Sequence, residues 1–195
     1  MTIIQQKGKR LFITGIPASG KSYLAKELAV KTGGIVVSLD NAREKFFDDD
    51  YYKKWVMFYF YKNEKEYLTQ TPPEELWDDL VKQSEALFPI FKSEIEKYQN
   101  ETRPVIFECV NLLPHIADQE LYFSGVVMLG DSFETILERN KKDPRWGETE
   151  ELQELEAREF FYVERPRYKK EAEKYGYPTF ENYKDALEEG IRMIT

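Results

Sequence analysis

The sequence is poor in the side chains that most often build redox and metal centres. It has one cysteine, Cys109, and one histidine, His115. A lone cysteine excludes an intrachain disulfide. His115 has no second histidine and no cysteine pair to complete a zinc site, so it reads as structural. Long apolar runs are missing too. No segment approaches the roughly 20 apolar residues of a membrane span. The first eight residues, Met1 to Gly8, carry neither an apolar stretch nor a cleavage site, and a cytoplasmic enzyme is the expectation. Positive charge is in deficit, with 28 basic against 36 acidic residues and a net charge of −8. An acidic chain repels a polyanion such as duplex DNA unless a local basic patch overrides the field, which argues against a nucleic-acid partner. It does not exclude a small phosphorylated ligand, which local dipoles can bind.

What is present points to one α/β domain over residues 1–195. The 195 residues suffice for one sizeable core. Five apolar runs read as strands: Lys9–Thr14, Gly34–Leu39, Pro104–Cys109, Ser124–Leu129 and Tyr177–Phe180. Helical stretches separate them, and that alternation predicts a parallel sheet between two helical layers. Two intervals are long. Residues 41–103 read as a helical insert, with a capping box at Thr71-Pro72-Pro73-Glu74 and a helix from there to about Tyr98, kinked at Pro89. Residues 140–167 read as a lid, with Lys141 to Gly147 as a mobile loop. Both begin where strands end, the side on which α/β sheets bind ligands.

The most specific signal is Gly15-Ile16-Pro17-Ala18-Ser19-Gly20-Lys21-Ser22, the pattern G-x-x-x-x-G-K-[ST] between a strand and a helix. Backbone N–H groups of such a loop cradle phosphate oxygens. Its two glycines permit the tight turn and close approach. Lys21 reaches the β- and γ-phosphates, and Ser22 ligates Mg²⁺. ATP and Mg²⁺ are therefore the expected cofactors, held by residues 15 to 22 and the adjoining Tyr23.

Two acids stand at neighbouring strand ends. Asp40, read as ending the second strand, can take the proton of an attacking hydroxyl; its plainer role is to cap the next helix. Arg43, three residues on, can hold an anionic group of the acceptor. Glu108 ends an otherwise apolar strand, the form expected of an acid that holds Mg²⁺ or orients the nucleophile. Arg139, Arg145, Arg158, Arg165 and Arg167 follow later, and phosphoryl transfer calls for at least one arginine against the γ-phosphate. Arg158, Arg165 and Arg167 are taken as substrate-side candidates. In the aromatic run Tyr51 to Tyr61, residues 51, 55 and 58, with residue 62 just beyond, would share one helical face. That face either packs on the sheet or walls the acceptor pocket. Cys109 reads as a small buried core residue.

The loop, Asp40 and Glu108 together resemble the nucleoside-monophosphate-kinase-like branch of P-loop proteins. That branch includes shikimate and gluconate kinases, chloramphenicol phosphotransferase, 2-phosphoglycerate-kinase-like proteins, zeta toxins and the kinase domain of polynucleotide kinase. The resemblance implies a three-layer P-loop NTPase fold with strand order 2-3-1-4-5, a helical acceptor insert and a lid. It implies Asp40 as base, Lys21 and Glu108 as catalytic groups, and Arg139 as the lid arginine that packs on adenine. It also puts Glu181-Asn182-Tyr183 at the adenine-side loop. The adenylate-kinase Asp-Gly-Phe-Pro-Arg and the shikimate-kinase Gly-Gly-Gly elements are absent. The implied activity is ATP- and Mg²⁺-dependent phosphorylation of a small metabolite's hydroxyl. A polynucleotide 5′-kinase, a toxin-type kinase of nucleotide sugars and an acceptor-free NTPase switch are the alternatives.

Overall fold

The computed structural model describes residues 9–195, and the expectation of no leader in Met1 to Gly8 lies outside the described residues. Strands β1 (Arg10–Gly15), β2 (Ile35–Ser38), β3 (Val105–Glu108), β4 (Ser124–Met128) and β5 (Thr179–Phe180) form one sheet in the order β2-β3-β1-β4-β5. Every neighbouring pair is parallel. All five expected strands are present; β1 is shifted by one residue and the other four are trimmed by one or two.

Alternation along the strands builds the two helical layers. Leu11 and Ile13 point to one side, where they meet Leu24 and Leu28 of α1 (Lys21–Thr32) and Ala186 and Ile194 of α10 (Tyr183–Ile194). Phe12, between them, points the other way. It joins a second core with Phe91 of α5 (Pro73–Glu96), Ile116 of α6 (Pro114–Glu120) and Tyr168 of α9 (Arg165–Tyr175). Phe12 meets Tyr177 edge-on at 4.9 Å. It also lies flat on Gly125, where a Cβ would come within 2.1 Å of the ring. Among the described residues no helix is long and apolar enough to cross a membrane.

The insert departs from its expected form in three places. The box at Thr71 does not form. Thr71 closes the short helix α4 (Glu64–Gln70), giving its N–H to Tyr67, so α5 starts one residue later on Pro72 without a side-chain cap. Glu74, freed from capping, faces Arg167 at 3.4 Å. Pro89 lies inside the 24-residue helix α5 without ending it. The aromatic run is not one helix. It breaks at Met57, between α3 (Lys53–Val56) and a 3₁₀ turn at Tyr59–Tyr61. Residues 51, 55, 58 and 62 therefore do not lie along one helix, although Trp55 stacks on Phe58 and Lys62 sits 4.5 Å from the Phe58 and 4.0 Å from the Tyr67 ring centre. The break turns Val56, Tyr59 and Phe60 toward a cavity.

The lid interval also differs. α7 (Phe133–Lys142) runs through the first part of the expected loop. The remainder is packed inward rather than free. Gly147 N–H donates to Glu156 on α8 (Glu150–Arg158), Gln153 donates back to the Gly147 carbonyl, and Trp146 lies 5.7 Å from Tyr59.

Candidate active site

The loop from Gly15 to Ser22 joins the end of β1 to the start of α1. Gly15 sits at φ +124° against β4, and a Cβ there would lie 2.0 Å from the Met128 carbonyl oxygen. No other residue fits that approach. Gly20 opens α1 at φ +96°, and Ala18 holds φ +56° although it is not glycine. Such backbone strain is concentrated at ligand-binding turns. Ser19 Oγ and Lys21 Nζ both donate to the Ile16 carbonyl, at 2.7 and 2.6 Å. Lys21 is thus folded back over the loop and buried. Burial lowers its pKa, with Glu108 and Asp40 pulling the other way. Ile16 N–H bonds the Met128 carbonyl, which fixes the buried Ile16-Pro17 edge of the loop.

Arg139 reaches from α7 to this loop and donates to the Ala18 carbonyl at 3.1 Å. Tyr23 is exposed on α1 and meets Tyr183 edge-on at 5.1 Å. The expected nucleotide-side residues therefore lie together around the loop and the end of β5.

Glu108 is buried at the end of β3 and accepts from Ser22 Oγ at 3.2 Å. Burial raises its pKa, while the Lys21 charge lowers it. A buried carboxylate meeting a serine hydroxyl beside a phosphate loop is a hard-oxygen donor set, and it fits Mg²⁺. Among the described residues no group of three or more acids, cysteines and histidine could hold a metal alone. Mg²⁺ in such sites is held by one or two protein oxygens together with substrate phosphates.

Asp40 does not end β2 or cap the helix after it. The strand stops at Ser38, and Asp40 lies in the first turn of α2 (Leu39–Glu44), behind the cap residue Ser38. Its carboxylate stands 3.4 Å from Arg43 Nη2 and accepts from the buried Cys109 thiol at 3.6 Å. Arg43 Nη1 donates to Asn111, and Asn111 in turn donates to Gln83 and Ser84 of α5. Gln83 then donates to the Trp55 carbonyl. This chain ties the insert to the end of β3 and holds Arg43 in place. The sequence gives no local sign of it, because its links join residues 28 and 68 apart.

The arginines separate. Arg145, on the turn before α8, lines a cavity of about 180 Å³ together with Arg43, Tyr59, Trp146, Glu159 and Glu164. Arg158 pairs with Glu154 on the exposed side of α8, away from the cavity. Arg165 donates to the Leu129 carbonyl beside the loop and pairs with Glu181. Arg167 is spent on the Val163 carbonyl and Glu74. Of the four arginines expected on the substrate side, Arg43 lines the cavity and Arg158, Arg165 and Arg167 do not; Arg145 does. His115 is held by Glu171 and Glu85, a structural arrangement.

Sequence reasoning also missed the acids of the lid. Glu159–Glu164 is a π-helical turn between α8 and α9. Its wider i→i+5 bonding sets Glu159 and Glu164 on one side, where an α-helix would part them. Both line the cavity, and both are buried. Burial pushes Glu164 up to about 7, against the lowering charges of Arg145 and Lys21. Burial and Glu164 push Glu159 up as well. Glu64 is raised to about 7 by burial and by Glu156.

These raised values carry a sign for stability. Folded-state carboxyls near 7 keep protons that the unfolded chain loses near 4.5, so stability falls as pH rises through that window. The nucleotide-free protein is expected to melt higher at pH 5 than at pH 8. Glu164→Gln should raise the Tm by a few degrees at pH 8 and by less at pH 5. Thermal unfolding of both proteins across that range checks this, and equal gains at both pH values would contradict it.

Comparison with solved structures identifies the fold. The chain is similar to shikimate kinase from Acinetobacter baumannii in complex with shikimate, with a TM-score of 0.57 and 14% identity over 97% of this chain and 94% of that one. It is also similar to TT1252 from Thermus thermophilus, with a TM-score of 0.56 and 19% identity over 96% and 98% of the two chains. No family model and no curated protein matches the sequence. The expected three-layer P-loop fold with strand order 2-3-1-4-5 is the one observed.

Proposed function

We propose that this chain, which has the P-loop kinase fold, is an ATP- and Mg²⁺-dependent phosphotransferase that phosphorylates a hydroxyl of a small metabolite. One observation carries the reading. The phosphate loop, the Ser22–Glu108 pair and Asp40 converge at one end of the sheet, and Asp40's partner Arg43 lines a cavity between the insert 41–103 and the lid 140–167. An acceptor-free switch has no use for such a cavity. The net charge of −8 and the acids of the cavity oppose the phosphates of a polynucleotide or a nucleotide sugar.

The roles follow from position. The loop amides and Lys21 hold the β- and γ-phosphates of ATP, which draws Lys21 off the Ile16 carbonyl. Ser22 and Glu108 would hold Mg²⁺, which neutralises phosphate charge when bound. Arg139 steadies the loop from α7. Asp40 accepts the acceptor's hydroxyl proton as that oxygen bonds the γ-phosphorus and the bond to the β–γ bridging oxygen breaks, releasing ADP. Arg145, facing the cavity, stabilises the charge on the transferring group.

A screen of small hydroxyl metabolites with MgATP tests the reading. Acceptor-dependent ADP formation, lost on chelation, is the expected result. ADP formation indifferent to every acceptor would overturn it.

A further inference from the structure

Glu164 Oε2 is buried in the cavity wall without a hydrogen-bond partner among the described residues, and Glu159 stands five residues before it on the same π-helical turn. A buried carboxylate oxygen left unpaired is costly unless a ligand completes it. The other walls are aromatic: Phe47, Tyr59, Phe60, Trp146 and Phe160. Ring faces over buried carboxylates form a cation site, because an ammonium ion entering it favours the charged form of the acids and meets the ring quadrupoles in the same sense. Counter-charge is short. The cavity is lined by Glu44, Glu156, Glu159 and Glu164 against Arg43 and Arg145. Glu156 is already satisfied by Asn140 and Gly147, and Arg43 is engaged by Asp40 and Asn111. Arg145 and Lys21 are the two cations whose fields reach Glu164. Both are the groups that ATP phosphates would draw to themselves, and once drawn they leave the two lid carboxylates to the acceptor.

From this arrangement we propose that the acceptor is a small amino alcohol, its ammonium group held by Glu159 and Glu164 within the aromatic wall. This rests on the phosphotransferase reading and names its substrate class. Arg43 Nε is buried and has no partner among the described residues, and it can donate to the acceptor's hydroxyl oxygen beside Asp40. The acceptor thus spans the cavity, with hydroxyl toward α2 and ammonium toward the π-helical turn. At about 180 Å³ the cavity lies below the roughly 300–1,000 Å³ of drug-sized ligand clefts, which suits a small molecule of this kind.

Matched acceptors test the assignment on the full chain with MgATP. One series is 3-amino-1-propanol, 1,3-propanediol and 3-hydroxypropanoate; a second is glucosamine, glucose and gluconate. The amine of each series is expected to exceed its neutral and anionic counterparts at least tenfold in kcat/KM. Glu164→Gln should collapse that preference tenfold or more, chiefly through KM for the amine. A neutral or anionic compound as best acceptor in both series overturns the charge assignment and leaves the phosphotransferase reading standing. A preference unaltered in a folded Glu164→Gln protein overturns it too. Transfer to no compound of any charge class brings down both readings.

Discussion

Replacing Lys21 with alanine is expected to abolish ATP turnover, by about 10³-fold or more. The expectation rests on what the side chain has around it. Lys21 is buried at the start of α1, and among the described residues its ammonium bonds only the Ile16 carbonyl of its own loop. Glu108 is the acid whose charge acts on it most, followed by Asp40 and Glu164. Alanine removes the only loop side chain that carries positive charge to the phosphates, in a site where preorganised donors count for several kcal/mol. The loop backbone does not depend on it. Ile16 N–H remains on Met128, and Ser19 Oγ remains on the Ile16 carbonyl. The variant should therefore fold, with an unaltered far-ultraviolet dichroism spectrum, and fail in turnover. Steady-state ADP release checks this; a variant within tenfold of the parent would remove Lys21 from the phosphate site.

Asp40→Asn is expected to lower phosphoryl transfer by about 10² to 10⁴-fold while sparing MgATP binding. Asparagine keeps the shape and can still accept from Cys109 and from Arg43, but it cannot take a proton. Arg43 also keeps its bond to Asn111, so the wall of the cavity should hold its form. Nucleotide affinity by calorimetry and transfer rate by single-turnover kinetics separate the two effects. Equal loss of both would make Asp40 structural.

The positions of Lys21 and Glu108 were legible in the sequence because the signals for them are local. A fixed spacing between glycines and a lysine defines the loop, and an apolar run that ends in an acid defines Glu108. The apolar run of β1 read as a strand, and it fills both cores, with Phe12 on one side and Leu11 and Ile13 on the other. Asp40 was one element off, because β2 stops at Ser38 and the helix begins earlier. Other features depended on distant partners. Arg145 and Arg158 look alike in sequence; only the folding of Gly147 onto Glu156 and Gln153 turns the first inward. For Arg158 a local sign existed, since Glu154 lies four residues before it and forms the i,i+4 pair of an exposed helix face. The Asn111–Gln83 link and the shared side of Glu159 and Glu164 had no such sign. One is a contact between elements, and the other needs a π-helical turn that no residue pattern announced.

The central claim is that phosphate moves from ATP to a hydroxyl held beside Asp40. Phosphorus NMR of the wild-type protein with MgATP and its best acceptor tests it most directly. The account predicts a phosphomonoester formed one for one with ADP and little inorganic phosphate. Inorganic phosphate released at the same rate with and without acceptor, and with no ester signal, would contradict it.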